Sequence, residues 1–211
     1  LMGAYADVRG LFSRDYYFDG QGEYVRVRDG SGSLSNTTTN ITQGAAYKGG
    51  CYFPDPSYRF GAKFDTYYKF CYGGIHRVNY VIENTLKMIP NAKTEESKKK
   101  LETVIGEARL LRGMIYFRLI SMWGDVPYID HVVYNQTEMD KIVRTSIAKI
   151  KDYIIEDFNY AFEKLPIKSE QIGRASKPAA LAFKGKLELY WACWNHFGWP
   201  ELDTFTPSEE E

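Results

Sequence analysis

Apolar residues recur every three or four positions along most of this 211-residue chain. The longest stripe runs over residues 60–89 in steps of 4, 3, 4, 4, 3, 4, 4 and 3. This spacing places all of its members on one face of an α-helix, which we expect to end at Pro90 and Asn91. Gly73 and Gly74 interrupt the stripe, so we expect a bend there or a close approach by a neighbouring helix.

Four further segments carry a helical pattern, at residues 2–12, 95–123, 146–165 and 176–195. Thr94 is the predicted N-cap of the second of these helices and Thr145 that of the third, because threonine side chains accept hydrogen bonds from free backbone N–H groups. The order is a helix, a long loop and two helical hairpins in series. Helical pairs in series are typical of an α-solenoid, although these recur about 75 residues apart and not at the 34 of regular tetratricopeptide repeats.

The segment 13–57 between the first two helices is rich in Gly, Ser, Thr and Asn, and it carries many aromatic residues. Loops this long are uncommon in compact domains unless they have a function. The chain as a whole has 17 tyrosines and is 16% aromatic. Tyrosine presents both an apolar ring and a polar hydroxyl, so part of this excess is expected to bind a ligand at the surface.

Composition excludes several classes of protein. The 27 basic and 27 acidic side chains balance, which argues against a nucleic-acid partner, because phosphate binding requires an excess of Lys and Arg. The 44% apolar content excludes a disordered chain, and no apolar run reaches the length that spans a bilayer. The three cysteines, Cys51, Cys71 and Cys193, fit neither a disulfide framework nor a zinc site, and we expect them to be small buried apolar residues.

Catalytic and metal-binding patterns are missing from the sequence. His76, His131 and His196 have no second ligand at metal spacing, and no Gly-x-Ser-x-Gly nucleophile motif occurs. Three carboxylates lie close together in the loop: Asp15, Asp19 and Glu23. Paired carboxylates serve glycosidases, but a loop does not fix them with the precision that acid–base catalysis needs. A role in solvation or in hydrogen bonding to a ligand is therefore favoured over a hydrolase.

Several stretches resemble the SusD/RagB family of bacterial outer-membrane lipoproteins. Residues 106–127, GEARLLRGMIYFRLISMWGDVP, are similar to the family pattern E-A-R-x-L-R-A-x-x-Y-F-x-L-x-x-x-[FWY]-G-D-V-P. Gly113 stands where alanine is usual in that pattern. Residues 154–166 are similar to I-I-x-D-L-x-x-A-x-x-x-L-P, and 5–10, 75–79 and 173–190 resemble the other helices of the family in the same order.

The resemblance implies an all-α fold, a superhelix of tetratricopeptide-like helix pairs with a long irregular loop after the first helix. Because family members are typically about twice as long, residues 1–211 would form one N-terminal helical domain of a longer chain, with 13–57 as a loop insertion. The implied function is non-catalytic binding of oligosaccharides, or of peptides in RagB-like members, for uptake through a TonB-dependent SusC-like transporter. The implied location is the outer face of the outer membrane, with a lipid anchor on a cysteine upstream of Leu1.

No cofactor and no metal are expected. The predicted ligand-binding residues are aromatic stackers and polar partners in the loop: Tyr16, Tyr17, Asp19, Tyr24, Arg26, Asn36, Tyr47 and Tyr52. Residues in the family-like helices are expected to be structural, with Glu107 and Asp157 pairing with arginines between helices. A tetratricopeptide-like scaffold for protein partners stays open as an alternative function.

Overall fold

The computed structural model describes residues 1–12, 59–198, 202 and 204–208. Side chains are described for residues 1–10, 67–198, 202 and 204–208. The described chain is mostly helical and contains two two-residue strands, β1 and β2, which pair antiparallel with Val126 opposite Thr145. The predicted all-α fold is confirmed. The elements in chain order are α1 (Met2–Phe12), α2 (Arg59–Met88), a 3-10 turn (Ile89–Asn91), α3 (Glu95–Trp123), β1 (Val126–Pro127), α4 (Gln136–Met139), β2 (Arg144–Thr145), α5 (Ile147–Lys164) and α6 (Lys177–Phe197).

The ends of α3 are set by local signals. The Thr94 hydroxyl accepts a hydrogen bond from the Ser97 N–H at 3.1 Å, as predicted for an N-cap. At the other end Gly124 has a φ of 64°, a left-handed conformation that favours glycine. The sequence therefore predicts both ends of α3 correctly.

The predicted cap of α5 is wrong. The N-cap residue is Ser146, and Thr145 belongs to β2. The side chain of Ser146 makes no capping hydrogen bond; instead the Ile147 N–H donates to Asp125 Oδ1 at 2.8 Å. A carboxylate 22 residues earlier in the chain thus caps this helix.

Helices α3, α5 and α6 pack in series. The Lys164 ammonium at the end of α5 lies 3.3 Å from Glu102 near the start of α3, while the start of α5 is capped by Asp125 just after α3, so the two helices are antiparallel. Lys184 of α6 likewise donates to Asn159 of α5 at 2.9 Å. The apolar stripe of α5 is fully buried in the core: Ile147, Ile150, Ile154, Phe158 and Ala161.

The chain divides into two compact units, Ala6–Gly73 and Leu1–Tyr5 with Gly74–Glu211. The first contains the buried Tyr67 and Cys71, and the rings of Tyr68 and Tyr72 lie 4.8 Å apart. The second contains α3, α5, α6 and the second half of α2. None of the helices in the described ranges is long and apolar enough to span a bilayer.

The small residues of α2 and α3 differ in their surroundings. At Gly73 an added Cβ would meet nothing within 4 Å, whereas at Gly113 it would lie 2.5 Å from the Phe158 ring. Gly74 is buried, and the bend or close approach expected at this pair of glycines stays a prediction. Of the cysteines predicted to be buried, Cys71 is buried but Cys193 is exposed, and Cys51 lies outside the described residues.

Candidate functional site

The predicted ligand-binding residues lie in a part of the chain that the structure does not describe. This applies to Tyr16, Tyr17, Asp19, Tyr24, Arg26, Asn36, Tyr47 and Tyr52, and also to the rival carboxylates Asp15 and Glu23. Their roles stay predictions. The described helices α2, α3, α5 and α6, with the start of α1, are called the helical frame below. Buried polar groups connect these helices.

The first turn of α1 is tied to α3 through a buried carboxylate. The Tyr5 hydroxyl donates to Glu107 and accepts a hydrogen bond from the Ala175 N–H at 2.8 Å. Arg174 Nε donates to the same carboxylate at 3.0 Å, and Arg174 Nη2 donates to its other oxygen. Burial, followed by the hydrogen bond to Glu107, raises the pKa of Tyr5 above its usual range. The predicted pairing of Glu107 with an arginine is confirmed.

A second buried ion pair joins α3 to α5. Arg112 Nε and Nη2 donate to the two carboxylate oxygens of Asp157, each at 2.7 Å. Arg112 Nη1 donates to Asn79 Oδ1 of α2 at 3.0 Å, so three helices meet at one guanidinium. Burial alone would lower the pKa of Arg112, but the Asp157 carboxylate more than offsets this and raises it. The predicted pairing of Asp157 is confirmed.

The same cluster holds the backbone that follows β1. Asn79 Nδ2 donates to the carbonyl oxygens of Ile129 and His131 at 2.9 and 3.0 Å. The Tyr116 hydroxyl accepts from the Ile129 N–H at 2.6 Å. Because buried polar side chains satisfy these backbone groups, the connector between α3 and α5 is fixed against the helices.

Aromatic rings cover one another next to this connector. Tyr128 stacks on Tyr153, with ring centroids 4.3 Å apart and an angle of 21° between the ring planes. The ring centroids of Tyr128 and Tyr116 lie 4.8 Å apart. Lys149 lies 5.8 Å from the Tyr153 ring centroid. The faces of these rings therefore contact other protein groups, and burial raises the pKa of both Tyr116 and Tyr128. This stack is a structural element of the helical frame.

A surface cluster lies further along the connector. His131 sits between two carboxylates, with Nδ1 2.8 Å from Asp130 and Nε2 2.8 Å from Glu138. The hydrogen bond with Asp130, and that with Glu138, raise the pKa of His131 above its usual value. The Tyr134 hydroxyl donates to Glu83 at 2.9 Å, although the Tyr134 side chain is 67% exposed. The cluster fastens the connector to α2 on the outside of the molecule.

Sequence reasoning missed the central position of Asn79 and the capping role of Asp125. Asn79 is buried directly beside the apolar stripe of α2, between Val78 and Tyr80. A single amide next to such a stripe is a signal that a buried polar partner is needed. Asp125 gave no comparable signal, because the helix that it caps begins 22 residues later.

The residues that the structure describes contain no group of three or more His, Cys, Asp or Glu that could hold a metal ion. The buried carboxylates of Glu107 and Asp157 each pair with an arginine, Arg174 and Arg112. These two ion pairs have a structural role, because they connect α3 to α5 and to the segment before α6.

Comparison with proteins of known sequence identifies two similar relatives. The chain is 34% identical over 96 residues to the SusD-like protein P2 of Formosa agariphila, covering 44% of this chain and 19% of that protein. It is 33% identical over 129 residues to a SusD-like protein of Bacteroides ovatus, covering 60% of this chain and 22% of that protein. The matches thus span about a fifth of the length of these curated relatives.

Solved structures share the fold over most of this chain. A SusD homolog from Bacteroides thetaiotaomicron has a TM-score of 0.69 and 24% identity, over 93% of this chain and 35% of its own. A laminarin-binding SusD-like protein has a TM-score of 0.59 and 22% identity, over 93% of this chain and 41% of its own. A structure with xylogluco-oligosaccharide has a TM-score of 0.56 and 21% identity, over 93% of this chain and 36% of its own.

A family model described as "starch-binding associating with outer membrane" matches residues 30–189, about three quarters of the chain. Proteins of this family bind carbohydrate and are not enzymes. The match includes the helices α2, α3 and α5 and most of α6, and it extends into the aromatic loop. On this evidence the chain belongs to the SusD-like family.

Proposed function

We propose that this chain binds oligosaccharides at the cell surface, without transforming them, as part of a nutrient-uptake protein. The family match over residues 30–189 carries the proposal, since that family is described as starch-binding. Relatives of the same fold include a laminarin-binding protein and a structure with xylogluco-oligosaccharide.

The aromatic loop is the proposed ligand-binding element. Sugar rings present apolar CH faces surrounded by hydroxyl groups, so flat aromatic rings pack on the faces while Asp, Asn and Arg bind the hydroxyls. Loop 13–57 supplies both types of residue.

We further propose that residues 1–211 form a single N-terminal helical domain within a longer chain. The known relatives that the chain matches are about five times longer than the matched segments. The proposed partner of the complete protein is a SusC-like TonB-dependent transporter, which would receive the captured ligand. A lipid on a cysteine upstream of Leu1 would hold the protein on the outer face of the outer membrane, consistent with the family's association with that membrane.

Electrophoresis in gels that contain single polysaccharides tests this function. Binding predicts slower migration with one or more of starch, laminarin and xyloglucan, and no release of reducing ends over time. Release of reducing ends would contradict the proposal and favour a hydrolase. Unchanged migration with every glycan, together with binding of peptides, would instead favour a RagB-like function. If neither ligand binds, a protein-interaction scaffold becomes the better account.

A further inference from the structure

The connector between α3 and α5 is anchored at both of its ends. Buried polar side chains hold its backbone as far as His131, and the next residue, Val132, is buried. At the other end Arg144 of β2 pairs with Pro127 of β1. Residues 133–143, called the connector flap below, therefore run between two anchored points.

The connector flap itself lies largely in solvent. Its large apolar residues Tyr134, Met139 and Val143 are all exposed, and its one helix, α4, is only four residues long. A segment with few buried apolar contacts opens at a low cost in free energy. Polar contacts at the surface thus have a large share in keeping the flap in place.

One of these contacts requires a particular protonation state. His131 Nδ1 lies 2.8 Å from Asp130 Oδ1, and His131 Nε2 lies 2.8 Å from Glu138 Oε1. Ionised carboxylates only accept hydrogen bonds, and a neutral imidazole carries a single N–H, whereas an imidazolium carries two. Only the charged form of the ring can therefore donate to both carboxylates at once.

We propose that His131 is a pH-operated latch, which holds the connector flap closed while its ring is protonated and releases the flap when the ring loses its proton to solvent. After that loss, one ring nitrogen would present a lone pair to a carboxylate oxygen. Asp130 lies on the anchored side, where its carbonyl oxygen accepts from Arg112 Nη1 at 3.2 Å. Glu138 belongs to α4, so the contact between His131 and Glu138 is the one that joins the flap to the anchored backbone.

The charges around the latch favour its closed form at mildly acidic pH. They come from the connector and three helices: Asp130, Glu138 of α4, Glu83 and Lys87 of α2, and Arg112 of α3. The hydrogen bond with Asp130 raises the pKa of His131, burial of the ring opposes this, and the hydrogen bond with Glu138 adds to the rise. The latch is therefore closed below the unfolded value of about 6.5 and opens as the pH rises through the higher folded value.

Hydrogen–deuterium exchange of the full-length protein at pH 6 and pH 9 tests this inference. Mass spectrometry of peptides from 133–143, with rates corrected for the intrinsic effect of pH, gives the protection of the flap amides. We expect this protection to be about tenfold lower at pH 9, the effect of losing one hydrogen bond between charged groups. Amides in the middle of α5 should keep their protection. The matched control His196→Gln, at another exposed histidine, should behave like the wild type.

Two variants of the latch should shift the flap in opposite directions. His131→Gln lacks the two opposed N–H groups, so the flap should have low protection at both pH values. Glu138→Gln places an amide donor beside the ring, so a neutral His131 can accept from it and the flap should stay protected at both.

Equal protection of the flap at pH 6 and pH 9 in the wild type would overturn the inference. A pH dependence that persists in His131→Gln would assign the effect to another group, and one that persists in Glu138→Gln would contradict the bridged geometry; either result overturns the latch. The inference does not depend on glycan binding, which the gel assay tests separately.

Discussion

Replacing Asp157 by asparagine removes one charge from the buried junction of α2, α3 and α5 while keeping the size of the side chain. In the native protein its two oxygens accept hydrogen bonds from Arg112 at 2.7 Å each. An asparagine can accept only one of them, and its NH₂ group would face a guanidinium donor. The Arg112 guanidinium would then stay buried without a compensating charge.

Breaking a buried ion pair by removing one partner costs about 3–5 kcal/mol. For a chain of this size that corresponds to a fall in Tm of roughly 10 °C. Urea denaturation followed by far-UV circular dichroism measures the loss in free energy of unfolding directly. The double variant Arg112→Met, Asp157→Leu should recover part of the loss, because it leaves no unpaired charge.

The matched control for Asp157→Asn is Glu96→Gln. Glu96 pairs with Lys100 at 2.7 Å, but both side chains are exposed, so we expect no measurable change. If Asp157→Asn lowered the free energy of unfolding no more than Glu96→Gln, the assignment of Arg112 and Asp157 as the joint of the helical frame would be wrong.

Two further perturbations test the frame and its connector. Gly113→Ala should destabilise the protein, because overpacking against Phe158 costs about 1–3 kcal/mol, while the better helix propensity of alanine contributes only about 1 kcal/mol. Gly73→Ala should instead stabilise the protein, because the added methyl group meets open space. Equal changes in the free energy of unfolding, measured by urea denaturation, would contradict the packing argument. Because the pKa of His131 is raised on folding, its contribution to stability is complete below the unfolded value of about 6.5 and is lost as the pH rises through the raised value. The difference in Tm between the wild type and His131→Gln should therefore be larger at mildly acidic than at alkaline pH, and a constant difference would contradict the contact with Asp130 and Glu138.

Helix positions could be predicted from the sequence where the signals are local. The ends of α3 follow from a threonine cap and a glycine stop, both of which act within one turn. The pairing of Glu107 and Asp157 with arginines could also be predicted, because both residues belong to the stretches that resemble the helices of the family.

Features that depend on contacts distant in sequence could not be predicted. The cap of α5 comes from Asp125 across a two-residue strand pair, so the apparent local cap at Thr145 was misleading. Gly113 replaces the usual alanine because the Phe158 ring occupies the space of a Cβ, a contact between two helices. The exposure of Cys193 depends on which face of α6 meets α5, a contact between two helices that the local sequence does not reveal.

The affinity of a loop variant for a glycan tests the central proposal most directly. Titration calorimetry should compare the wild type with the triple variant Tyr16→Ala, Tyr17→Ala, Tyr24→Ala, using a glycan that retards the wild type in gels. At about 1 kcal/mol for each stacked ring, we expect affinity to fall roughly 100-fold, with unchanged helical circular dichroism. The matched variant Tyr134→Ala, at an exposed tyrosine outside the loop, should bind normally. Full affinity in the triple variant, or a loss confined to Tyr134→Ala, would contradict the account.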